Sequence, residues 1–318
     1  MSDRGRVLLA ITGMDLDAWK EAFTSHSPDR QVVSTIDPAE AASIRYAVAW
    51  KPEPGSLEGF PQLRAIFSAG AGVDHLLGYP GLPDVPIVRV VSPDLTQRMS
   101  EYVAWQALDH LRRGALYRRQ QRDHIWDEPP GQPAAGEVTV AIMGLGVLGT
   151  DAALKLKGLG FRVTGWSRRP KDVDGVVTYH GEDGLTAVLA DADILVVLLP
   201  LTEATRGVLA GDLFRRMKRS GPLGAPILIN AGRGGLQNED DILTALDAGV
   251  LGAASLDVFN REPLPADHPL WEHPRVTITP HAAAASMPSA LVPQMVRQME
   301  AIEAGKPVEN LVDRSSQY

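Results

Sequence analysis

The chain contains no cysteine. Disulfides, thiolate nucleophiles and cysteine metal sites are therefore excluded. It has no apolar run near the ~18 residues that a membrane span needs, and no membrane association is expected. A net charge of −8 leaves no basic footprint for nucleic acid. There is no G-x-S-x-G of a serine hydrolase and no H-E-x-x-H of a metalloprotease. His26, His75, His110, His124, His180, His268 and His273 show no paired metal spacing, so no metal site is expected. The stretch from Met1 to Ile11 is charged and then briefly apolar. It is too short for a secretory signal with its cleavage site and reads as a first strand. A soluble, cytoplasmic protein is the expectation.

What is present is an α/β pattern. A length of 318 residues suggests two domains of ordinary size, and 44% apolar residues can fill their cores. Strand-like runs fall at Arg6–Thr12, Gln31–Val33, Tyr46–Trp50, Ala65–Ala69 and Ile87–Val91, with a helix at Leu16–Phe23. A proline-free helical pattern runs from Thr96 to about Gln121 and ends in arginines, as a helix C-terminus often does. A proline-rich loop at Pro129, Pro130 and Pro133 follows. Later strands read at Val138–Met143, Phe161–Trp166, Ile194–Leu199, Ile227–Asn230, Ala253–Asp257 and Val276–Ile278. A last helix spans Ser289–Ala304. Strands alternating with helices argue for parallel sheets.

The strand from Val138 ends in Gly144-Leu-Gly146-Val-Leu-Gly149, and a helical pattern opens near Val147. Strand, G-x-G-x-x-G turn and helix together form the dinucleotide fingerprint. Gly144 serves the sharp turn, Gly146 the approach of a pyrophosphate, and Gly149 the packing of helix on strand. The first helical amides, from Val147 and Leu148 onward, point at the phosphates. At the end of the next strand an adenosine ribose with a free 2′-hydroxyl usually meets Asp or Glu. Here Ser167-Arg168-Arg169 stands instead. Guanidinium forks suit a 2′-phosphate, so NADPH is expected over NADH, with NADH use still possible. The alternative is that both arginines are solvated loop charges.

Three polar residues follow strands of that nucleotide fold, on the edge where ligands of open α/β sheets bind. Arg233 lies in Asn230-Ala-Gly-Arg-Gly. Glu262 lies in Asp257-Val-Phe-Asn-Arg-Glu-Pro-Leu-Pro. His281 closes Val276-Thr-Ile-Thr-Pro-His. Arginine can hold a 2-oxo carboxylate by its fork. Histidine can give a proton to the carbonyl oxygen as hydride reaches carbon. A carboxylate beside the histidine orients it and favours imidazolium.

These stretches resemble the D-2-hydroxyacid dehydrogenase family. The likeness is carried by the glycine fingerprint, Leu199-Pro-Leu-Thr-Glu-Ala-Thr205, Asn230-Ala-Gly-Arg-Gly, the Asp257–Pro265 run, and Leu270-Trp-Glu-His-Pro-Arg-Val-Thr-Ile-Thr-Pro-His-Ala-Ala. Phe67-Ser-Ala-Gly-Ala-Gly-Val-Asp-His75 is similar to the family's substrate loop. Trp50-Lys-Pro and the closing Val312-Asp-Arg bring it nearest to the bacterial glyoxylate/hydroxypyruvate reductase A group. The resemblance implies two doubly wound parallel-sheet domains. A Rossmann-type nucleotide domain (96–284) is inserted into a flavodoxin-like substrate domain (1–95 and 285–318). It implies reduction of small 2-oxo acids such as glyoxylate and hydroxypyruvate, with Arg233, Glu262 and His281 catalytic. It places Leu199, Pro200, Thr205, Ala231 and Asp257 at the cofactor, and Trp50, Ala71, Gly72 and Arg233 at the substrate. It also implies a homodimer. A non-catalytic, dinucleotide-sensing regulator on the same fold stays open at this point, because fold alone does not decide function.

Overall fold

The computed structural model describes residues 4–318. Met1 to Asp3, the start of the charged N-terminal stretch, lie outside the described residues. The chain divides into two compact units. One holds the described residues up to Leu95 together with Ser286–Tyr318, and the other holds Thr96–Ala285.

The first unit carries a five-stranded parallel sheet. Its strands are β1 (Arg6–Ile11), β2 (Val32–Val33), β3 (Ile44–Trp50), β4 (Ala65–Ser68) and β5 (Ile87–Val88), in the order β2-β1-β3-β4-β5. This is the doubly wound order of flavodoxin-like folds, with its switch point between β1 and β3. Side chains alternate across the sheet. Val7, Leu9, Tyr46, Val48 and Phe67 face one way, against Trp19 and Phe23 of α1 (Leu16–His26) and against Leu291, Val292 and Met295. Leu8, Ala10, Ala47, Ala49 and Ile66 face the other way, against Leu57 and Leu76; Leu76 belongs to the short α2 (Asp74–Leu77). Asp15 caps α1 by accepting from the amides of Asp17 (3.0 Å) and Ala18 (3.3 Å).

The second unit holds α3 (Pro93–Leu111) from Thr96 onward, α4 (Gly114–Arg122) and a seven-stranded parallel sheet. The sheet comprises β6 (Thr139–Met143), β7 (Arg162–Ser167), β8 (Val177–His180), β9 (Ile194–Val197), β10 (Ile227–Asn230), β11 (Ala253–Leu256) and β12 (Val276–Ile278). Its order is β12-β11-β10-β9-β6-β7-β8, all parallel. That is the Rossmann order with one strand added, and its switch point lies between β6 and β9. The helices α5 (Val147–Gly158), α6 (Gly181–Asp191), α7 (Gly211–Arg216) and α8 (Glu239–Asp247) connect the strands. The last helix, α9 (Pro288–Glu303), belongs to the first unit. Every residue of β6 and β9 is buried, as covering helices on both faces of a parallel sheet require.

Two sequence expectations are corrected. The helical pattern from Thr96 to Gln121 is two helices, and the first begins at Pro93. They part at Arg113, whose φ is +57°. Its guanidinium donates to the carbonyls of Pro129 (2.8 Å), Gly131 (3.1 Å) and Pro130 (3.2 Å). The proline-rich loop therefore pins the break from outside the helix, where periodicity cannot register it. The edge strand β8 went unread because its residues are only half-buried or exposed and carry no apolar run.

His110 on α3 is half-buried. Its Nε2 meets Ser255 Oγ at 2.8 Å, and that hydroxyl donates to Gln106 Oε1 at 2.6 Å. Burial pushes its pKa down from 6.5 to about 4, against the pull of Asp109. The unfolded chain therefore binds the extra proton first as pH falls. The stability tied to neutral His110 is complete above pH 6.5 and is lost on the way down to pH 4. Urea titrations should show about 2 kcal/mol less stability at pH 5 than at pH 7 from this residue. His110→Gln should flatten that slope, and an unchanged slope would remove His110 as its source.

Candidate active site

The glycine turn follows β6 directly. Gly144 has φ +107°, and a Cβ there would lie 2.8 Å from the carbonyl oxygen of Leu198. A Cβ on Gly149 would lie 2.0 Å from the Gly144 carbonyl oxygen, so α5 packs onto the strand only because that Cβ is missing. At Gly146 the space is open, with no atom within 4 Å of a built Cβ. Gly146 caps α5 without a side chain, so no capping group takes up the first helical amides. Val147 is exposed and Leu148 half-buried, while Leu145 points into the core. A closely approached backbone, free amides and a helix N-terminus fit a pyrophosphate.

The end of β7 stands beside this turn, since Gly144 N donates to Trp166 O at 2.9 Å. Ser167 Oγ turns back onto the Arg169 carbonyl at 2.8 Å. Arg168 and Arg169 lie exposed beyond it. Lys171 reaches from the same loop to the Leu145 carbonyl inside the glycine turn. Cationic groups stand at the ribose end, and Ser167 occupies the end of the strand. These groups fit a 2′-phosphate better than a free 2′-hydroxyl.

Other expected cofactor residues lie in the loops after β9, β10 and β11. Leu199 and Ala231 are buried, and Pro200 is exposed. Thr205 uses its hydroxyl inside the turn, donating to Pro200 O at 2.7 Å and accepting from Thr202 N at 2.8 Å. Asp257 is 1% exposed, and its carboxylate accepts from Thr279 Oγ1 (2.6 Å), Ala282 N (2.8 Å) and Ala283 N (3.0 and 3.1 Å). Its carboxylate is thus engaged in folding the turn that carries His281.

His281 is held in an uncommon conformation, with φ +53°. Its amide donates to the carbonyls of Asp257 (2.8 Å) and Thr279 (3.0 Å). Left-handed non-glycine residues persist where the surroundings over-determine them, often at functional sites. The ring's Nδ1 lies 2.9 Å from Glu262 Oε2, and Glu262 Oε1 accepts from Phe259 N at 3.2 Å. A carboxylate on Nδ1 fixes the tautomer and the orientation of the ring. Arg233 follows β10 in extended conformation and is half-buried; its Nη1 donates to Gly232 O at 2.7 Å. The structure therefore brings Glu262 and His281 into contact and sets Arg233 on the same edge of the same sheet.

Trp50, Ala71 and Gly72 lie in the first unit. The Trp50 ring packs on His75, with centroids 4.6 Å apart, and a Cβ on Gly70 would come within 2.5 Å of it. Ser68 Oγ donates to Gly72 O at 2.9 Å, which closes the loop that holds Ala71 and Gly72.

Sequence reasoning missed Thr279. Tyr102, a core residue of α3, places its hydroxyl 2.9 Å from Thr279 Oγ1 and so extends the Asp257 chain beneath His281. Burial raises its pKa. Thr279 stands two residues before His281, but nothing in sequence pairs it with Tyr102. Among the described residues no group of three or more His, Cys, Asp or Glu could hold a metal ion. Among them, too, no helix is long and apolar enough to cross a membrane.

The model of the D-isomer specific 2-hydroxyacid dehydrogenase NAD binding domain matches residues 104–283. A glyoxylate/hydroxypyruvate reductase A of Serratia proteamaculans is 39% identical over 303 residues, covering 93% of this chain and 95% of that one. The NADPH-dependent glyoxylate/hydroxypyruvate reductase of Sinorhizobium meliloti, solved with NADP and sulfate, is 47% identical. It superposes with a TM-score of 0.93 over 99% of this chain and 100% of its own. A probable 2-hydroxyacid dehydrogenase of Rhizobium etli, solved with NADP, HEPES and L(+)-tartaric acid, is 44% identical, with a TM-score of 0.91 over 99% and 100%.

Proposed function

The chain belongs to the D-isomer specific 2-hydroxyacid dehydrogenase family, and from that premise we propose that it reduces small 2-oxo acids, glyoxylate and hydroxypyruvate among them, with NADPH. The observation that carries the reading is the Glu262–His281 contact of 2.9 Å on the sheet edge that also bears Arg233. A nucleotide-sensing regulator, the other reading open in sequence, has no need of a carboxylate-bound histidine there.

When bound, the nicotinamide supplies the hydride. Arg233 takes the substrate carboxylate in its guanidinium fork and so orients the neighbouring carbonyl. His281 gives its Nε2 proton to the carbonyl oxygen as that oxygen gains charge. Glu262 holds the ring by Nδ1 and stabilises the imidazolium before transfer. Hydride at carbon and proton at oxygen together make the 2-hydroxy acid, and the same groups run the oxidation in reverse.

The direct test mixes NADPH, protein and glyoxylate and follows absorbance of the reduced nicotinamide. A panel of 2-oxo acids with both cofactors would then rank substrates. No loss of absorbance with any 2-oxo acid would sink the reading.

Cofactor choice rests on Arg168 and Arg169. In the double variant Arg168→Ala with Arg169→Ala, the KM for NADPH should rise about 10- to 100-fold, as loss of charge-assisted hydrogen bonds implies. The KM for NADH should barely move. Added salt should weaken NADPH binding to the parent more than to the variant. Equal use of both cofactors by the parent protein would make these arginines plain surface charges.

Two further parts of the reading concern assembly and place. Trp126 is fully exposed, and Trp105 and Ile125 are about half exposed, all in the second unit. Large apolar side chains in water suit cover by a second copy, hence a homodimer through the nucleotide unit. Light scattering on the purified protein reads this directly. A cytoplasmic location fits a reductase that draws on NADPH.

A further inference from the structure

Two turns carry the candidate catalytic groups, and one buried side chain lies between them. Gln237 is 3% exposed. Its Oε1 accepts from Asn230 Nδ2 at 2.8 Å, and its Nε2 donates to Val258 O at 2.9 Å and to Glu239 Oε1 at 3.3 Å. The same Glu239 oxygen accepts from Asn260 N at 2.8 Å. Asn260 Nδ2 closes the circuit by donating to Gln237 O at 3.1 Å.

Each end of this circuit reaches a catalytic group. On one side Asn230 grips the Arg233 turn: its Nδ2 also donates to Arg233 O at 3.3 Å, and its Oδ1 accepts from Gly232 N at 3.0 Å. On the other side Val258 and Asn260 flank Phe259, whose amide donates to Glu262 Oε1 at 3.2 Å. The other oxygen of Glu262 holds His281. Beneath the circuit the two turns touch backbone to backbone. A Cβ on Gly234 would fall 1.9 Å from Phe259 O.

We propose that Gln237, helped by Glu239, is a positioning residue that sets the spacing between Arg233 and the Glu262–His281 pair. This rests on the reading of the site as a 2-oxo acid reductase. The argument is one of satisfied polar groups. A glutamine amide has both a donor and an acceptor, and here each is engaged on a different turn. Removing the amide strands one hydrogen of Asn230 Nδ2 and takes the Gln237 donor from Val258 O, in a buried place, so both turns shift to find new partners. A displacement of about 1 Å at a reacting pair can cost ~100-fold in rate. A side chain that merely supported the fold would lower stability and leave the kinetics below the melting range alone.

The test uses the full chain and compares Gln237→Met, which keeps the volume, with Glu239→Gln and Glu239→Ala. Gln237→Met should lower kcat for glyoxylate about 10- to 100-fold and raise the KM for glyoxylate, with NADPH affinity held within about twofold. Glu239→Gln keeps an amide oxygen for Asn260 N and should retain most of the activity, whereas Glu239→Ala should follow Gln237→Met. Hydrogen exchange reads the tie without turnover. In Gln237→Met, amides of Gly232–Gly235 and of Phe259–Glu262 should exchange faster together. Parental kinetics in Gln237→Met, an NADPH affinity that falls in step with kcat, or faster exchange in only one turn would overturn the proposal. A parent inert toward every 2-oxo acid would instead overturn the functional reading, and the exchange experiment would still decide the tie.

Discussion

Replacing His281 with Asn should lower the rate of 2-oxo acid reduction by about 100- to 10,000-fold, the span usually carried by general acid catalysis. Asn is the replacement to use because His281 sits at φ +53°. Asn tolerates the left-handed region better than other side chains, so the turn that Asp257 folds should survive. Its amide is neutral at every working pH and cannot replace the imidazolium. The loss should therefore fall on kcat, where proton transfer to the carbonyl oxygen is felt. NADPH affinity should be unchanged, since the glycine turn and the loop after β7 are untouched. Glu262→Gln should lie between parent and variant, because the amide still meets Nδ1 at the position of Oε2 but carries no charge. Steady-state kinetics with NADPH titrations check all of this. A His281→Asn protein with parental kcat would remove the histidine from the reaction.

Arg233→Lys should cost more than ~100-fold in kcat/KM for the 2-oxo acid, with NADPH binding nearly intact. Lysine keeps the charge and loses the planar fork. The loss should appear in both KM and kcat, because the fork binds the carboxylate and also aims the carbonyl at His281. The turn around position 233 should hold its shape, since its backbone is gripped by Asn230 through Gly232 N and Arg233 O rather than by the guanidinium. A lost NADPH affinity with turnover maintained would make Arg233 a cofactor residue instead.

Much of the molecule could be read along the chain. The fingerprint from Gly144 to Gly149 is local, because its meaning lies in the order of strand, turn and helix; Gly144 makes the sharp turn, Gly149 lets the helix pack on the strand, and the space at Gly146 is open. Parallel strands buried on both faces announce themselves as short apolar runs, so β6, β9 and β10 were plain. The half-exposed edge strand β8 was not, and neither was the break at Arg113, which answers to carbonyls of a loop beyond α4.

The site divides in the same way. Residue type and place after a strand make Arg233, Glu262 and His281 the candidates, since a ligand edge repeats with every βα unit, and the structure sets them on one edge of one sheet. Asp257 was picked out as well, yet its buried carboxylate proves to be occupied by Thr279, Ala282 and Ala283. Sequence by itself determined most of the elements, the sheet edge that follows β10, β11 and β12 and the residue types that gather there, because those follow from periodicity and from the chemistry of short motifs. Tertiary structure alone decided the left-handed turn at His281, the Tyr102–Thr279–Asp257 chain beneath it and the bond from Gln237 to Val258, because each depends on buried polar groups far apart in the chain finding one another as partners.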